Sequence, residues 1–196
     1  MKLYGSTSSP YVRRIRLYLI KLSLEDTAVE FINLDIFNQE DRALLTASNP
    51  AQKIPALIDN ELCIYDSRVI YRYLAEKYQQ PSLTWQQENL LTLIDAANDS
   101  MVSMLQLTRS GVDVNQDSLF FNLQRERVEQ VMNYLNKSVE NGEFTQWNYV
   151  AICLFCLLDW LAFRSLYNWE KYSDLKRFYE RVNTQLGVNK TDPRLA

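Results

Sequence analysis

There is no histidine among the 196 residues of this chain. That absence removes an imidazole general base, a Ser-His or Cys-His nucleophile pair and any imidazole metal ligand. Cysteine is scarce and odd in number, three in all, so no disulfide framework is expected and a reducing cytoplasm fits. Cys153 and Cys156 have C-x-x-C spacing, but they sit in a long apolar helical run and read as small core fillers rather than a redox pair. With only four glycines and five prolines, most of the chain is expected to be regular structure, chiefly helix. The net charge is −3 with lysine and arginine scattered, so neither a nucleic-acid nor a membrane partner is expected. The N-terminus enters a strand at once, without a charged region and an apolar stretch behind it, and does not read as an export signal.

What is present divides into two patterns. In residues 1–78 strand and helix signals alternate. Met1 to Gly5 reads as a strand, and a helical pattern runs from Pro10 to about Leu22. Ala28 to Leu34 reads as a second strand, followed by a polar, weakly helical stretch to about Ala47. Ala56-Leu57-Ile58 and Leu62-Cys63-Ile64-Tyr65 flank Asp59-Asn60-Glu61 as a hairpin. Asp66-Ser67 then caps a helix that places Val69, Ile70, Tyr73 and Leu74 on one face. Residues 79–86 read as a linker centred on Gln79-Gln80-Pro81-Ser82, and residues 87–196 contain no convincing strand. Trp85 to about Arg109 is one long helix. A stripe of Val128, Val131, Met132, Leu135 and Val139 marks the next. Tyr149 to Phe163, apolar except for Asp159, suits a helix buried on all sides and is too short to span a bilayer. Thr145 with Asn148 three residues on reads as its capping box. A last amphipathic helix is expected from about Tyr172 to Leu186.

The turn after the first strand carries the chemistry. Ser9 directly before Pro10 is a helix start, because the serine oxygen satisfies an orphan amide and proline has no amide to satisfy. Backbone N–H groups and the positive end of the helix dipole converge near Ser9, which makes an anion site.

Three local runs, in this order and spacing, carry a resemblance to a known family. They are Ser9-Pro10-Tyr11-Val12-Arg13-Arg14, Asn49-Pro50-Ala51-Gln52-Lys53-Ile54-Pro55-Ala56-Leu57, and Tyr65-Asp66-Ser67-Arg68-Val69-Ile70. Together with Leu158 to Arg164 as a central buried helix, they resemble the glutathione transferases over essentially the whole chain, in a bacterial-type form with a serine at the active turn. The resemblance implies a thioredoxin-like α/β N-terminal domain followed by an all-α helical domain. It also implies a cytoplasmic homodimer that takes glutathione as co-substrate, needs no other cofactor or metal, and conjugates small electrophilic or hydrophobic compounds. Related thioredoxin-like folds place Cys-Pro-Tyr-Cys where this chain has Ser9-Pro10-Tyr11-Val12. Both sulfurs are missing, so dithiol exchange is not expected.

By the same resemblance Ser9 donates a hydrogen bond to the glutathione thiolate, with Ser6, Ser8 and Tyr4 as nearby alternatives and simple capping as the plainer role. Ile54, ahead of a cis Pro55, pairs through its main chain with the cysteinyl part of the tripeptide. Ser67 takes the γ-glutamyl carboxylate, Asp66 neighbours the γ-glutamyl amine, and Lys53 faces the glycyl carboxylate. Tyr11, Met101, Met104 and Leu105 are expected to wall the electrophile pocket. Asp95 or Asp99 is weighed as an acid reaching a partner subunit's site, against ordinary surface placement. Arg13 and Arg14 are expected at the surface without a catalytic role. Two alternatives stand beside the transferase: a non-catalytic binding or regulatory protein of the same fold, and a glutathione-dependent isomerase. The Ser8-Ser9-Pro10 turn lacks the cysteine that isomerases of the zeta type carry.

Overall fold

The computed structural model describes residues 1–195. Contacts divide it into two compact units, one of Met1–Ser82 together with the chain from Thr184 onward, the other Leu83–Asn183.

The first unit runs β1 (Lys2–Gly5), α1 (Pro10–Lys21), β2 (Glu30–Asn33), α2 (Gln39–Ser48), β3 (Ala56–Asp59), β4 (Leu62–Tyr65) and α3 (Ser67–Lys77). The strands form one sheet in the order β2-β1-β3-β4. β1 is parallel to β2 and antiparallel to β3, and β3 and β4 form the hairpin. Strand alternation assigns the faces. Leu3, Leu57 and Ile64 are register partners on one face and are buried. Tyr4 and Ala56 face the other way, toward a cluster built on Leu34 and Leu45. Leu45 is the single buried residue of α2, which explains why that helix reads weakly in sequence: Asn38, whose side chain accepts from the amides of Glu40 and Asp41, does more to define it than its apolar face. α1 and α3 pack together, with Tyr18 and Tyr71 edge to face at 5.0 Å. The hairpin turn is tied to α3 by Tyr73, whose hydroxyl donates to Asp59 Oδ2 at 2.6 Å, and by Lys77 on the same oxygen. Lys77 is the main cause holding the Asp59 carboxyl below its ordinary pKa.

The buried face of α3 differs from the expectation. It consists of Ser67, Ile70, Tyr71, Leu74 and Ala75, while Val69 is 48% exposed. Stacking against α1 selects the stripe one residue further round, and Tyr73 goes to Asp59 instead of the core.

The second unit contains four helices, α4 (Trp85–Arg109), α5 (Leu119–Glu140), α6 (Tyr149–Phe163) and α7 (Ser173–Val182). α4 opens on a capping box in which Thr84 and Gln87 each accept from the other's backbone amide. α6 is buried from Tyr149 to Leu161. Its polar interruption, Asp159, accepts from Tyr179 at 2.5 Å. Cys153 and Cys156 are each 1% exposed and not disulfide-bonded. The α6 cap is Asn148, which accepts from the Ala151 amide, and not Thr145: the chain bends through 145–148 before the first helical turn. Asn136 of α5 caps α7 from outside, accepting from the amides of Asp174 and Leu175. No helix among the described residues is long and apolar enough to cross a membrane.

One close approach sets the geometry of the first unit. A β-carbon on Gly5 would lie 2.5 Å from Val12 Cγ2, so only glycine lets the end of β1 meet the first turn of α1. Gly5→Ala is therefore expected to destabilise by about 1–3 kcal/mol through overpacking, with part of the loss recovered in the Gly5→Ala/Val12→Ala double variant. Urea unfolding midpoints measure this, and a midpoint of Gly5→Ala equal to wild type contradicts it.

Candidate functional site

The register brings three separate segments to one end of the sheet. Tyr4 pairs with Ala56, and Ala56 pairs with Tyr65. The residues following β1 (Ser6 to Ser9), those preceding β3 (Lys53, Ile54 and Pro55) and those following β4 (Asp66 and Ser67) therefore emerge side by side. β2 ends there as well, with Asn33 opposite Gly5, and its Oδ1 accepts from the Thr7 amide at 3.1 Å. The serine turn is thus held at its middle by the neighbouring strand.

Ser9 is the N-cap of α1, with extended backbone and Pro10 in the first turn. Its amide donates to the Ser6 carbonyl at 3.0 Å. Its Oγ accepts from the Val12 amide at 3.4 Å. A hydroxyl that accepts from the backbone still has its proton to donate. Ser6 and Ser8 face each other, Oγ to Oγ at 3.2 Å. Tyr4 packs half-buried against the Leu34–Leu45 cluster on the α2 face.

The Ile54–Pro55 peptide bond is cis. Ile54 lies just outside the ladder, which begins at Ala56, and its side chain packs on the Leu34–Leu45–Ala56 cluster. The turn before it is organised by Asn49, fully buried. Asn49 Nδ2 donates to the Lys53 carbonyl at 2.7 Å, and Oδ1 accepts from the Ala51 amide at 2.9 Å. No role for this asparagine is expected from the sequence alone, although its Asn-Pro pair, which favours a side-chain-to-backbone turn, is a signal for one. Lys53 is exposed.

Asp66 caps α3 with its carboxylate accepting from the Arg68 amide at 2.8 Å. Its backbone sits at φ 72°, in the left-handed half of the map that a non-glycine residue enters only at a cost of about 1–3 kcal/mol. Ser67, the first helical residue, is 2% exposed.

Arg13 and Arg14 depart from expectation. They are 4% and 1% exposed, and Arg14 stacks on the Tyr11 ring at 4.7 Å. Arg13 faces inward because the segment that returns at Thr184 covers it, through Thr191 and the Val188 carbonyl. Of the residues expected at an electrophile pocket, Met101, Met104 and Leu105 line one cavity of ≈ 540 Å³ inside the helical unit, together with Thr108, Leu166 and Tyr167. Tyr11 belongs to the other unit and is not among them. At this cavity's wall Glu129 accepts from Tyr167, from Tyr172 at 2.9 Å and from Lys171 at 3.0 Å. The Tyr167 hydroxyl is the leading cause that takes the Glu129 carboxyl down to about 2. Burial first, and Glu129 second, push the Tyr167 hydroxyl up. On α4, Asp95 is half-buried and Asp99 exposed. Among the described residues no group of three or more His, Cys, Asp or Glu is placed to hold a metal.

The buried Asn49 makes the loop testable. Asn49→Ala is expected to destabilise by about 1–3 kcal/mol, the cost of leaving buried partners unsatisfied, and to speed hydrogen exchange at the Ala51 amide. Unchanged exchange at Ala51 would show that the side chain does not organise the turn.

The chain is similar to known proteins in sequence and in fold. Residues 3–82 match the family model described as glutathione S-transferase, N-terminal domain. The chain is 26% identical over 175 residues to the GST-like protein YibF of Escherichia coli K12, covering 84% of this chain and 83% of that one. Its fold matches a glutathione-bound glutathione S-transferase from Methylobacillus flagellatus with a TM-score of 0.84 at 23% identity, over 98% of both chains. It also matches a glutathione-bound glutathione transferase family member from Pseudomonas fluorescens, with a TM-score of 0.82 at 25% identity, again over 98% of both. The architecture is the glutathione transferase fold, a thioredoxin-like unit followed in sequence by a helical one. Residues 3–82 are thus similar to the N-terminal domain of glutathione S-transferases, and the whole chain is similar to solved structures of that fold.

Proposed function

We propose that the chain is a glutathione transferase whose Ser9 hydroxyl holds the bound thiol as thiolate for attack on a small electrophile. The observation that supports this most is the register that sets Ser9, Ile54-Pro55 and Asp66-Ser67 at one sheet end. A tripeptide needs partners for its thiol, its main chain and its γ-glutamyl end, and those three segments supply the chemistry in that order.

A free thiol has a pKa near 8.5, so only a few per cent ionises at neutral pH. A hydrogen bond to a charged group contributes about 1.5–3 kcal/mol. The helix N-terminus adds about 0.3–1 kcal/mol, rising to about 2 where partly buried. At 1.36 kcal/mol per unit of pKa, the two lower a bound thiol by about 1–4. A chain without histidine reaches a largely ionised thiol in this way with no protein base.

In this reading Ile54 receives the cysteinyl main chain as an added strand would. Ser67 and the start of α3 take the γ-glutamyl carboxylate, Asp66 faces the amine and Lys53 the glycyl carboxylate. Met101, Met104 and Leu105, which share one cavity of the helical unit, are the residues assigned to the electrophile, methionine suiting varied apolar shapes. The reading extends to a cytoplasmic homodimer. Because Ser9 also accepts from the Val12 amide, a transferase-like binding protein without catalysis is the alternative.

Ser9→Ala is expected to keep the glutathione dissociation constant within several-fold and to lower turnover about tenfold or more, the equivalent of one lost charged hydrogen bond. Unchanged turnover at mildly acidic pH rules Ser9 out as the donor, whereas a wild-type protein that binds glutathione and shows no turnover favours the binding protein. Ser67→Ala is expected to weaken glutathione about ten- to a hundredfold by calorimetry, and unaltered binding rejects its assignment to the γ-glutamyl end.

A further inference from the structure

The helix that carries Ser9 is gripped along its length by a segment far away in sequence. Arg13, one turn beyond Ser9, donates its own amide to the Ser9 carbonyl at 3.0 Å. Its guanidinium, 4% exposed, donates through Nε to Thr191 Oγ1 at 3.2 Å and through a terminal nitrogen to the Val188 carbonyl at 3.1 Å, across 178 and 175 residues of chain. Thr191 is itself 2% exposed, and its hydroxyl proton goes to the Gly187 carbonyl at 2.9 Å, which leaves the oxygen to accept from Arg13. One turn further on, Arg16 pairs with Glu25 at 2.8 Å, and the same buried carboxylate takes Lys190 at 3.1 Å. Lys190 also pairs with Asp26. At the end of the helix Gly187, at φ 87°, lies so close to Ile20 that a β-carbon would come within 2.6 Å of Ile20 Cδ1.

We propose that the segment 187–191 is part of the glutathione machinery, a clamp on α1 in which Arg13, Lys190 and Thr191 are positioning residues for the Ser9 hydroxyl; this rests on the transferase reading above. Sliding or rotating α1 moves the buried Arg13 guanidinium off directional partners and takes Arg16 off the buried Glu25 carboxylate, which Lys190 holds in place from the other side. Each is costly, because a buried charge that loses its partner keeps its desolvation penalty. The contacts fall at residues 13, 16 and 20, about one per turn, so the helix is held against rotation as well as translation. Ser9 lies one turn from the first of them. Reactive geometry is sensitive at this scale, a misplacement of about 1 Å being able to cost about a hundredfold. None of the clamp residues needs to touch glutathione for this to hold.

The test measures the pKa of the bound thiol from the ultraviolet absorbance of its thiolate, at saturating glutathione, in wild type, Thr191→Val, Thr191→Ser and Lys190→Gln. Thr191→Val, which keeps the shape and removes the acceptor, is expected to raise the bound thiol pKa by about 1, a tenfold loss of thiolate well below that pKa. Thr191→Ser restores the wild-type value, and Lys190→Gln moves it upward by less. Measured at a pH below the bound thiol's pKa, where the thiolate adds little to affinity, the glutathione dissociation constant of the three variants stays within about threefold of wild type. If Thr191→Val does not fold, Lys190→Gln decides, its side chain being half exposed. Wild-type titration by Lys190→Gln together with Thr191→Val, or a Thr191→Ser variant as impaired as the valine, overturns the clamp. A wild-type protein that binds no glutathione or leaves its thiol unshifted sinks the transferase reading itself. Normal wild-type ionisation with unmoved variants sinks the clamp alone.

Discussion

Val12 fills the space where a β-carbon of residue 5 would stand, and the position of the first helix follows from that contact. The turn between them has only Ser6, Thr7, Ser8 and Ser9 to reverse the chain, with Asn33 holding its middle. Whatever the hydroxyls and amides at the start of α1 can do depends on this tight junction of strand end and helix start. Burial of Leu3, Val12 and Leu57 beneath it ties the junction to the apolar core, so the polar turn has little freedom to drift.

Buried polar groups and one left-handed backbone show where the unit gives up stability for geometry. Asn49 is fully buried in order to shape a turn ahead of Ile54. Asp66 holds a left-handed backbone to start α3. Arg13 and Glu25 are charged groups buried with directional partners. Replacing such groups with well-packed apolar ones often costs nothing in stability. Fixed direction is what they add: Asn49 and Asp66 lie on segments that meet at the sheet end, Arg13 in the first turns of α1, and Glu25 in the turn between α1 and β2. The helical unit shows the same economy at Glu129, where two phenols and a lysine converge on one carboxylate.

Much of this was legible in the chain itself. Strand alternation, the Asp59-Asn60-Glu61 turn and the Ser9-Pro10 start fixed the element order, since each rests on short-range chemistry. The apolar run from Tyr149 to Phe163 announced a helix buried on all sides for the same reason. What could not be read was long-range. Nothing near Arg13 signals that Thr191 will cover it, so a surface arginine was the sound local inference and the wrong one. Val69 and Tyr73 exchange roles with Tyr71 and Ala75 because α1 and Asp59 decide which face of α3 turns inward. Asn148 displaces Thr145 as a cap because both residues can cap and only the path of the chain chooses between them. Asn49 had a recognisable turn signature, but its burial depends on the whole unit closing around it.

The account stands on one atom-to-atom relation, the Ser9 hydroxyl donating to a sulfur bound at the start of α1. A crystal structure of this protein with glutathione tests it most directly. The account predicts the cysteinyl sulfur in hydrogen-bond contact with Ser9 Oγ, with the tripeptide main chain alongside Ile54. A tripeptide bound with its sulfur turned away from Ser9, toward Ser6, Tyr4 or open solvent, would contradict it.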